Sequence, residues 1–214
     1  MNIQDYILYE DQQILVCQKE AGIPVQTARM SQMDLESALK NYLASKKQHQ
    51  GSKKNRPYLA VIHRLDQPVR GVLVFAKTPQ AAKVLNEQVV KHSLGKYYLA
   101  EVDGIISEEQ GTLTDYLLKD AKTNTSKVVK EGTPNSKKAV LHYKKKTDHT
   151  VEIELVTGRH HQIRVQLSHA GMPIKGDTKY NPHAEKGCLQ LCAYRLVFCH
   201  PKSGKQMEFY YKEN

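Results

Sequence analysis

Three short segments concentrate the side chains able to do chemistry. The first is His63-Arg64-Leu65-Asp66-Gln67-Pro68-Val69-Arg70-Gly71, set between the apolar runs 58–62 and 72–76. A carboxylate on a rigid turn can act as nucleophile or base, and can stabilise positive charge developing on a substrate. The same residues also read as a plain turn, with Asp66 as its cap and Arg64 as its ion partner. The second segment is Thr157-Gly158-Arg159-His160-His161-Gln162-Ile163-Arg164-Val165-Gln166-Leu167, which follows a strand pattern and opens a helical one. Cations in a first helical turn oppose the helix macrodipole. Arg159, His160, His161 and Arg164 therefore call for an anion against them, either a phosphate or a carboxylate such as Asp66. The third segment is Lys96-Tyr97-Tyr98-Leu99-Ala100. Strand alternation puts its two tyrosines on opposite faces. One can pack in the core while the other lines a cleft and stacks on a base.

Strands and helices must position these segments. The pattern predicts strands over 3–9 and 14–19 around a turn at Glu10-Asp11-Gln12. Ser31-Gln32-Met33-Asp34 resembles a capping box before a helix carrying Leu35, Ala38, Leu39, Tyr42 and Leu43 on one face. The polar, basic stretch 45–57 reads as a mobile loop. Residues 58–62 and 72–76 read as buried strands. Thr78 is an N-cap and Pro79 the first position of a helix running to about His92. Further strands are predicted over 96–102, 111–117, 137–144, 150–156, 188–198 and 205–211. A helix is predicted from near Arg159 to a C-cap at Gly171. With no repeat and no long linker, 1–214 reads as a single α+β domain. Its core is a mixed, mainly antiparallel sheet flanked by helices and loops.

Composition narrows the partners. Lys and Arg total 32 against 22 Asp and Glu, a net charge of +10. A basic surface favours polyanions through counterion release. The charge is also local: five cations and no acid lie from Lys46 to Arg56, and nine lysines against Asp120 and Glu131 from Lys119 to Lys146. No apolar run is long enough to span a bilayer. The N-terminus lacks the pattern of a signal peptide, so a cytoplasmic protein without a membrane role is expected. Cys17, Cys188, Cys192 and Cys199 read as reduced thiols, without the close Cys-x-x-Cys pairs of zinc modules. There is no Gly-rich phosphate loop, no His-Glu-x-x-His and no Gly-x-Ser-x-Gly, so nothing points to a nucleotide cofactor. His160 and His161 would diverge on a helix, which argues against a shared metal.

Taken in order, these segments resemble the RluA-like pseudouridine synthases. The family carries His-Arg-Leu-Asp before an apolar strand ending Ala-Lys, here His63 to Asp66 and Val72 to Lys77. It carries Lys-x-Tyr-x-Ala, here Lys96 to Ala100, and Thr-Gly-Arg-x-His-Gln-Ile-Arg-Val, here Thr157 to Val165. A Gly-x-Pro-Ile-x-Gly-Asp-x-x-Tyr stretch follows, here Gly171 to Tyr180. Tyr9-Glu10-Asp11 through Ala21-Gly22 and the tail Ala193-Tyr194-Arg195-Leu196 with His200-Pro201 are similar too. The likeness covers roughly residues 7–209.

The resemblance implies a pseudouridine synthase fold with a central catalytic cleft. It implies isomerisation of uridine to pseudouridine in ribosomal or transfer RNA, without cofactor or metal. Asp66 matches the essential aspartate, which attacks either the sugar C1′ or the base C6. Tyr98 matches the tyrosine that stacks on the uracil. Arg164 matches the arginine that pairs with the aspartate and keeps it ionised. Arg64 matches the arginine that fills the space left by the flipped base. His63, Arg159, His161, Gln162 and Ile163 match residues around the substrate.

The chain departs from the family where Val69-Arg70 replaces a common Thr-Ser pair, which bears on how the catalytic loop is held. Too few residues precede the first motif for the N-terminal RNA-binding module of many relatives, so RNA recognition is expected from the catalytic domain's own basic surfaces. A monomer is expected. Two rival readings remain: a non-catalytic RNA-binding protein on the same fold, and a metal-dependent nuclease using Asp66, His63, His160, His161 or His169. The nuclease would need more carboxylates than these motifs contain.

Overall fold

The computed structural model describes residues 3–29, 32–49, 56–185 and 187–213. The chain forms two compact units, residues 1–94 with 195–214 and residues 95–194.

In the first unit the chain opens with a 3-10 turn, Ile3–Tyr6, where a strand was expected. β1 (Ile7–Glu10) and β2 (Ile14–Lys19) then form an antiparallel pair. Their turn is closed by Asp11, whose carboxylate accepts from the Gln13 and Ile14 N–H groups at 2.7 and 2.8 Å. α1 (Leu35–His49) buries Leu35, Leu39 and Leu43, one stripe at helical spacing. Its cap is Asp34, which accepts from the Ser37 N–H at 2.8 Å, while Ser31 lies outside the described residues. The helix reaches further than the expected loop at 45–57 allowed. β3 is only Ala60–Val61, much shorter than the strand expected over 58–62. β4 (Arg70–Ala76) pairs antiparallel with β2 and β3. α2 (Pro79–Val90) has Thr78 as its N-cap, accepting from the Ala81 N–H at 3.1 Å, as its sequence predicts. Ile14, Val16, Val72, Val74, Ala81, Leu85, Leu196 and Phe198 share one core cluster.

The second unit contains β5 (Gly95–Glu101), β6 (Gln110–Asp120), β7 (Thr125–Val129), β8 (Lys137–Thr147) and β9 (Thr150–Leu155). They are ordered β5-β9-β8-β6-β7, antiparallel throughout. β7, Thr-Ser-Lys-Val-Val, escapes the sequence pattern because it is short and carries a lysine among its apolar positions. α3 (Gln162–His169) packs Val165 against Leu117 and Ala139 of the sheet. It ends as expected at Gly171, with φ +77° and the Met172 N–H bonded back to the Leu167 carbonyl at 2.9 Å. β10 (Leu191–Cys199) begins in this unit and ends in the first, where it pairs antiparallel with β11 (Gln206–Tyr210). Among the described residues, no helix is long and apolar enough to cross a membrane.

Candidate active site

The two units each carry part of the residue set. In the first, Asp66 sits half-buried on the turn between β3 and β4. Leu65 and Val69 anchor the turn by pointing inward, and the Val69 N–H donates to the Asp66 carbonyl at 3.0 Å. Gln67 is locked against Gly22. The Gly22 N–H donates to the Gln67 carbonyl at 2.8 Å, and Gln67 Nε2 donates to the Gly22 carbonyl at 2.9 Å. Gly22 has φ +88°, a conformation that a side chain would strain.

The third tie is Lys19, which sequence reasoning missed. Its side chain is 0% exposed. Nζ donates to the carbonyls of Glu20 at 2.9 Å, Ile23 at 2.8 Å and Gln67 at 3.0 Å. Burial lowers its pKa to about 8, against the opposing pull of the Asp66 and Glu20 carboxylates. The turn bearing the carboxylate is therefore nailed to the end of β2 by a buried ammonium. The only sequence signal is a lysine closing the apolar run Ile14–Cys17.

The Val69-Arg70 departure also acquires a structural meaning. Val69 supplies an apolar anchor. Arg70 turns outward, with Nη2 3.2 Å from Glu213 and the guanidinium carbon 5.8 Å from the Tyr211 ring centre. Packing, a backbone bond and the C-terminal tail hold the loop. Next to Asp66, Arg64 is exposed. His63 accepts from the Val74 N–H at Nε2 at 3.4 Å, which leaves the proton of the neutral ring on Nδ1.

In the second unit, β5 alternates as expected. Lys96, Tyr98 and Ala100 face inward, with Tyr98 only 5% exposed, while Tyr97 faces outward. The loop before α3 is organised by Gln162. Its Oε1 accepts from Thr157 Oγ1 at 2.8 Å and the Arg159 N–H at 3.0 Å. Its Nε2 donates to the Val140 carbonyl at 3.1 Å and Gln166 Oε1 at 2.9 Å. The amide's two donors and two lone pairs are thus used inside the protein. Ile163 is buried, and Arg159 is exposed with Nε bonded to the Lys138 carbonyl at 2.9 Å.

His160 and His161 precede the helix and do not diverge. Their rings stack at 3.8 Å because His161, the N-cap, adopts a left-handed backbone at φ +52°. His161 Nδ1 meets the Tyr180 hydroxyl at 2.7 Å, and that hydroxyl accepts from the Ser126 N–H at 2.7 Å. Burial, then the Arg164 charge, depress the His161 pKa to about 3. The ring is neutral at physiological pH.

The cation in the first turn of α3 has its anion. Arg164 makes a buried two-point ion pair with Asp177, Nε to Oδ2 at 2.8 Å and Nη2 to Oδ1 at 2.6 Å. The type of partner matches the electrostatic expectation. Its identity was out of reach, because Asp177 arrives from the loop after the helix. The guanidinium also lies 5.1 Å from the Tyr180 ring centre. Among the described residues, no three His, Cys, Asp or Glu side chains gather as a metal cluster.

The comparisons with known proteins bear on the chain as a whole. The family model for RNA pseudouridylate synthase matches residues 13–169. An uncharacterized RNA pseudouridine synthase of Bacillus subtilis is 34% identical over 209 residues, 95% of this chain and 67% of that protein. A tRNA pseudouridine synthase C of Haemophilus ducreyi is 33% identical over 220 residues, 92% of this chain and 86% of the relative. A ribosomal large subunit pseudouridine synthase D of Zymomonas mobilis is 35% identical, again over 67% of its own length. The chain thus spans about two thirds of the length of several relatives. A solved human structure, RNA pseudouridylate synthase domain containing 4, superposes with a TM-score of 0.78 at 23% identity, covering 98% of this chain and 89% of that one. By motif order, matched length and fold, the chain belongs to the RluA-like family of RNA pseudouridine synthases.

Proposed function

We propose that this protein isomerises uridine to pseudouridine in structured ribosomal or transfer RNA, with Asp66 as its catalytic carboxylate. The observation that carries the assignment of Asp66 is the anchoring of its turn. A half-buried acid is fixed through Gln67 by Gly22 and by the buried Lys19 ammonium. A freely solvated acid would need no such scaffold. The reaction breaks the C1′–N1 bond, rotates the uracil, forms C1′–C5, and moves the C5 proton away as N1 gains one. A positioned carboxylate serves as nucleophile or as electrostatic partner of the sugar in that sequence, and as the base for C5.

Tyr98 takes the uracil face, and Arg164 keeps the catalytic aspartate ionised, both assigned by the motif match. Asp177 orients the Arg164 guanidinium for that task. His63, Arg64, Arg159, His161 and Ile163 surround the substrate. His161 stays neutral, and Gln162 works indirectly by shaping the loop. We read the two units as one catalytic domain over 1–214, acting as a cytoplasmic monomer. The test is Asp66→Asn with unmodified transcripts of the host's ribosomal and transfer RNAs. Pseudouridine formation should fall by at least a thousandfold while RNA affinity is retained. Undiminished turnover by the variant would remove Asp66 from the mechanism. Wild-type binding without turnover on any transcript would favour the RNA-binding reading.

A further inference from the structure

Lys96 is a buried cation without a counter-charge among the described residues. It is 9% exposed on the inward face of β5. Its ammonium makes no hydrogen bond or ion pair with any described residue, and burial alone lowers its pKa. Every other buried cation described above has its partners: Lys19 has three carbonyls, and Arg164 has Asp177. A largely desolvated ammonium with no protein partner destabilises a fold, so its presence needs another reason.

Gly158 supplies a second, independent observation. Its backbone is not in the left-handed region, so conformation does not demand glycine there. Space does not demand it either. A Cβ built at Gly158 would meet nothing closer than Lys96 Nζ, at an ordinary 3.7 Å. What the missing side chain does is leave the Lys96 ammonium uncovered. Glycine at such a place suits the close approach of a ligand to the backbone.

We propose that Lys96 and the bare backbone at Gly158 form a binding site for an RNA phosphodiester at the target nucleotide. The inference rests on the reading of Tyr98 as the uracil-stacking residue. Lys96 and Tyr98 share one face of β5, two residues and about 7 Å apart along the strand. That is comparable with the span from a nucleobase to its own phosphate. A phosphate supplies the full negative charge that a base carbonyl lacks, and strong acceptors for the ammonium.

The signature separates function from architecture. If Lys96 served only the fold, replacing it would lower stability. As an uncompensated cation awaiting a phosphate, it should do the reverse. Lys96→Met should melt at a higher temperature than wild type, yet bind unmodified ribosomal and transfer RNA transcripts roughly tenfold more weakly. The slope of log K against log salt should shrink by about 0.7 to 0.9, one phosphate contact. Lys96→Arg should keep the slope. Gly158→Ala should melt like wild type and still weaken binding, because its methyl group covers the ammonium. Wild-type affinity and slope in Lys96→Met would overturn the proposal, and so would unchanged binding by Gly158→Ala. Absence of turnover by the wild-type protein would sink the isomerase reading instead, because the salt slope is read from binding alone.

Discussion

Replacing Lys19 by methionine isolates the tie that fixes the Asp66 turn. Two opposing effects decide the outcome. Methionine is close in volume and removes a fully desolvated charge. A lysine pKa lowered from 10.5 to about 8 corresponds to a cost on the order of 3 kcal/mol for holding the ammonium inside. Against that gain, the Glu20 and Ile23 carbonyls lose the ammonium donor, while the Gln67 carbonyl keeps the Gly22 N–H. Each buried acceptor left unsatisfied costs roughly 1–3 kcal/mol. The second effect wins narrowly, and Lys19→Met should lose about 1 kcal/mol of unfolding free energy, measured by urea titration at pH 7. Turnover should fall further than stability explains, since the Gln67 carbonyl loses one of its two donors next to Asp66.

The pH dependence adds an independent check. Below about pH 8, Lys19 is charged in both folded and unfolded chains, so the burial cost is fully present. Between about pH 8 and 10.5 the folded chain releases the proton while the unfolded chain keeps it. The unfolded state then binds more protons, and stability rises with pH. The wild-type advantage over Lys19→Met should therefore widen across that window. A variant within about 0.5 kcal/mol of wild type, or a gap that narrows with alkali, would refute the account.

Further expectations concern the second unit. Asp177→Asn leaves the buried Arg164 charge uncompensated and should cost about 3–5 kcal/mol in denaturant unfolding, with impaired turnover. Wild-type stability would show that other groups hold the guanidinium. His161 has a folded pKa of about 3 against 6.5 unfolded, so acid protonates the unfolded chain first and stability is lost as pH falls below 6.5. His161→Asn keeps a residue that tolerates the left-handed backbone and removes the titration. Between pH 6.5 and 4.5 it should lose about 2–3 kcal/mol less than wild type. Equal losses would place the acid sensitivity elsewhere.

The surface offers a caution about reading charge from sequence. Of Lys46, Lys47, Lys53 and Lys54, which the composition marks as phosphate contacts, only the Lys46 side chain is among the described residues. It pairs with Glu10 at 2.8 Å, and Lys77 bonds the same carboxylate at 2.7 Å. Part of that basic run is therefore neutralised within the protein.

Local chemistry was legible without coordinates. Thr78 and Pro79 start a helix because capping and a fixed φ are properties of adjacent residues, and Gly171 ends one for the same reason. The alternation of Lys96, Tyr97 and Tyr98 needs only the two-residue period of a strand. Motif order carried the family membership, and the proposed roles of Asp66, Tyr98 and Arg164 follow from that resemblance. Partners distant in sequence were not legible. Nothing near Lys19 announces the Gln67 carbonyl, 48 residues away, and nothing in the first turn of α3 announces Asp177. His160 and His161 stack where His161 takes a left-handed backbone and bonds Tyr180, 19 residues away. The sequence determined which groups could do chemistry. Tertiary structure decided which are buried, which are tied to a carbonyl or carboxylate, and which, like Lys96, have no partner among the described residues, because burial and long-range hydrogen bonding arise only when the chain closes on itself.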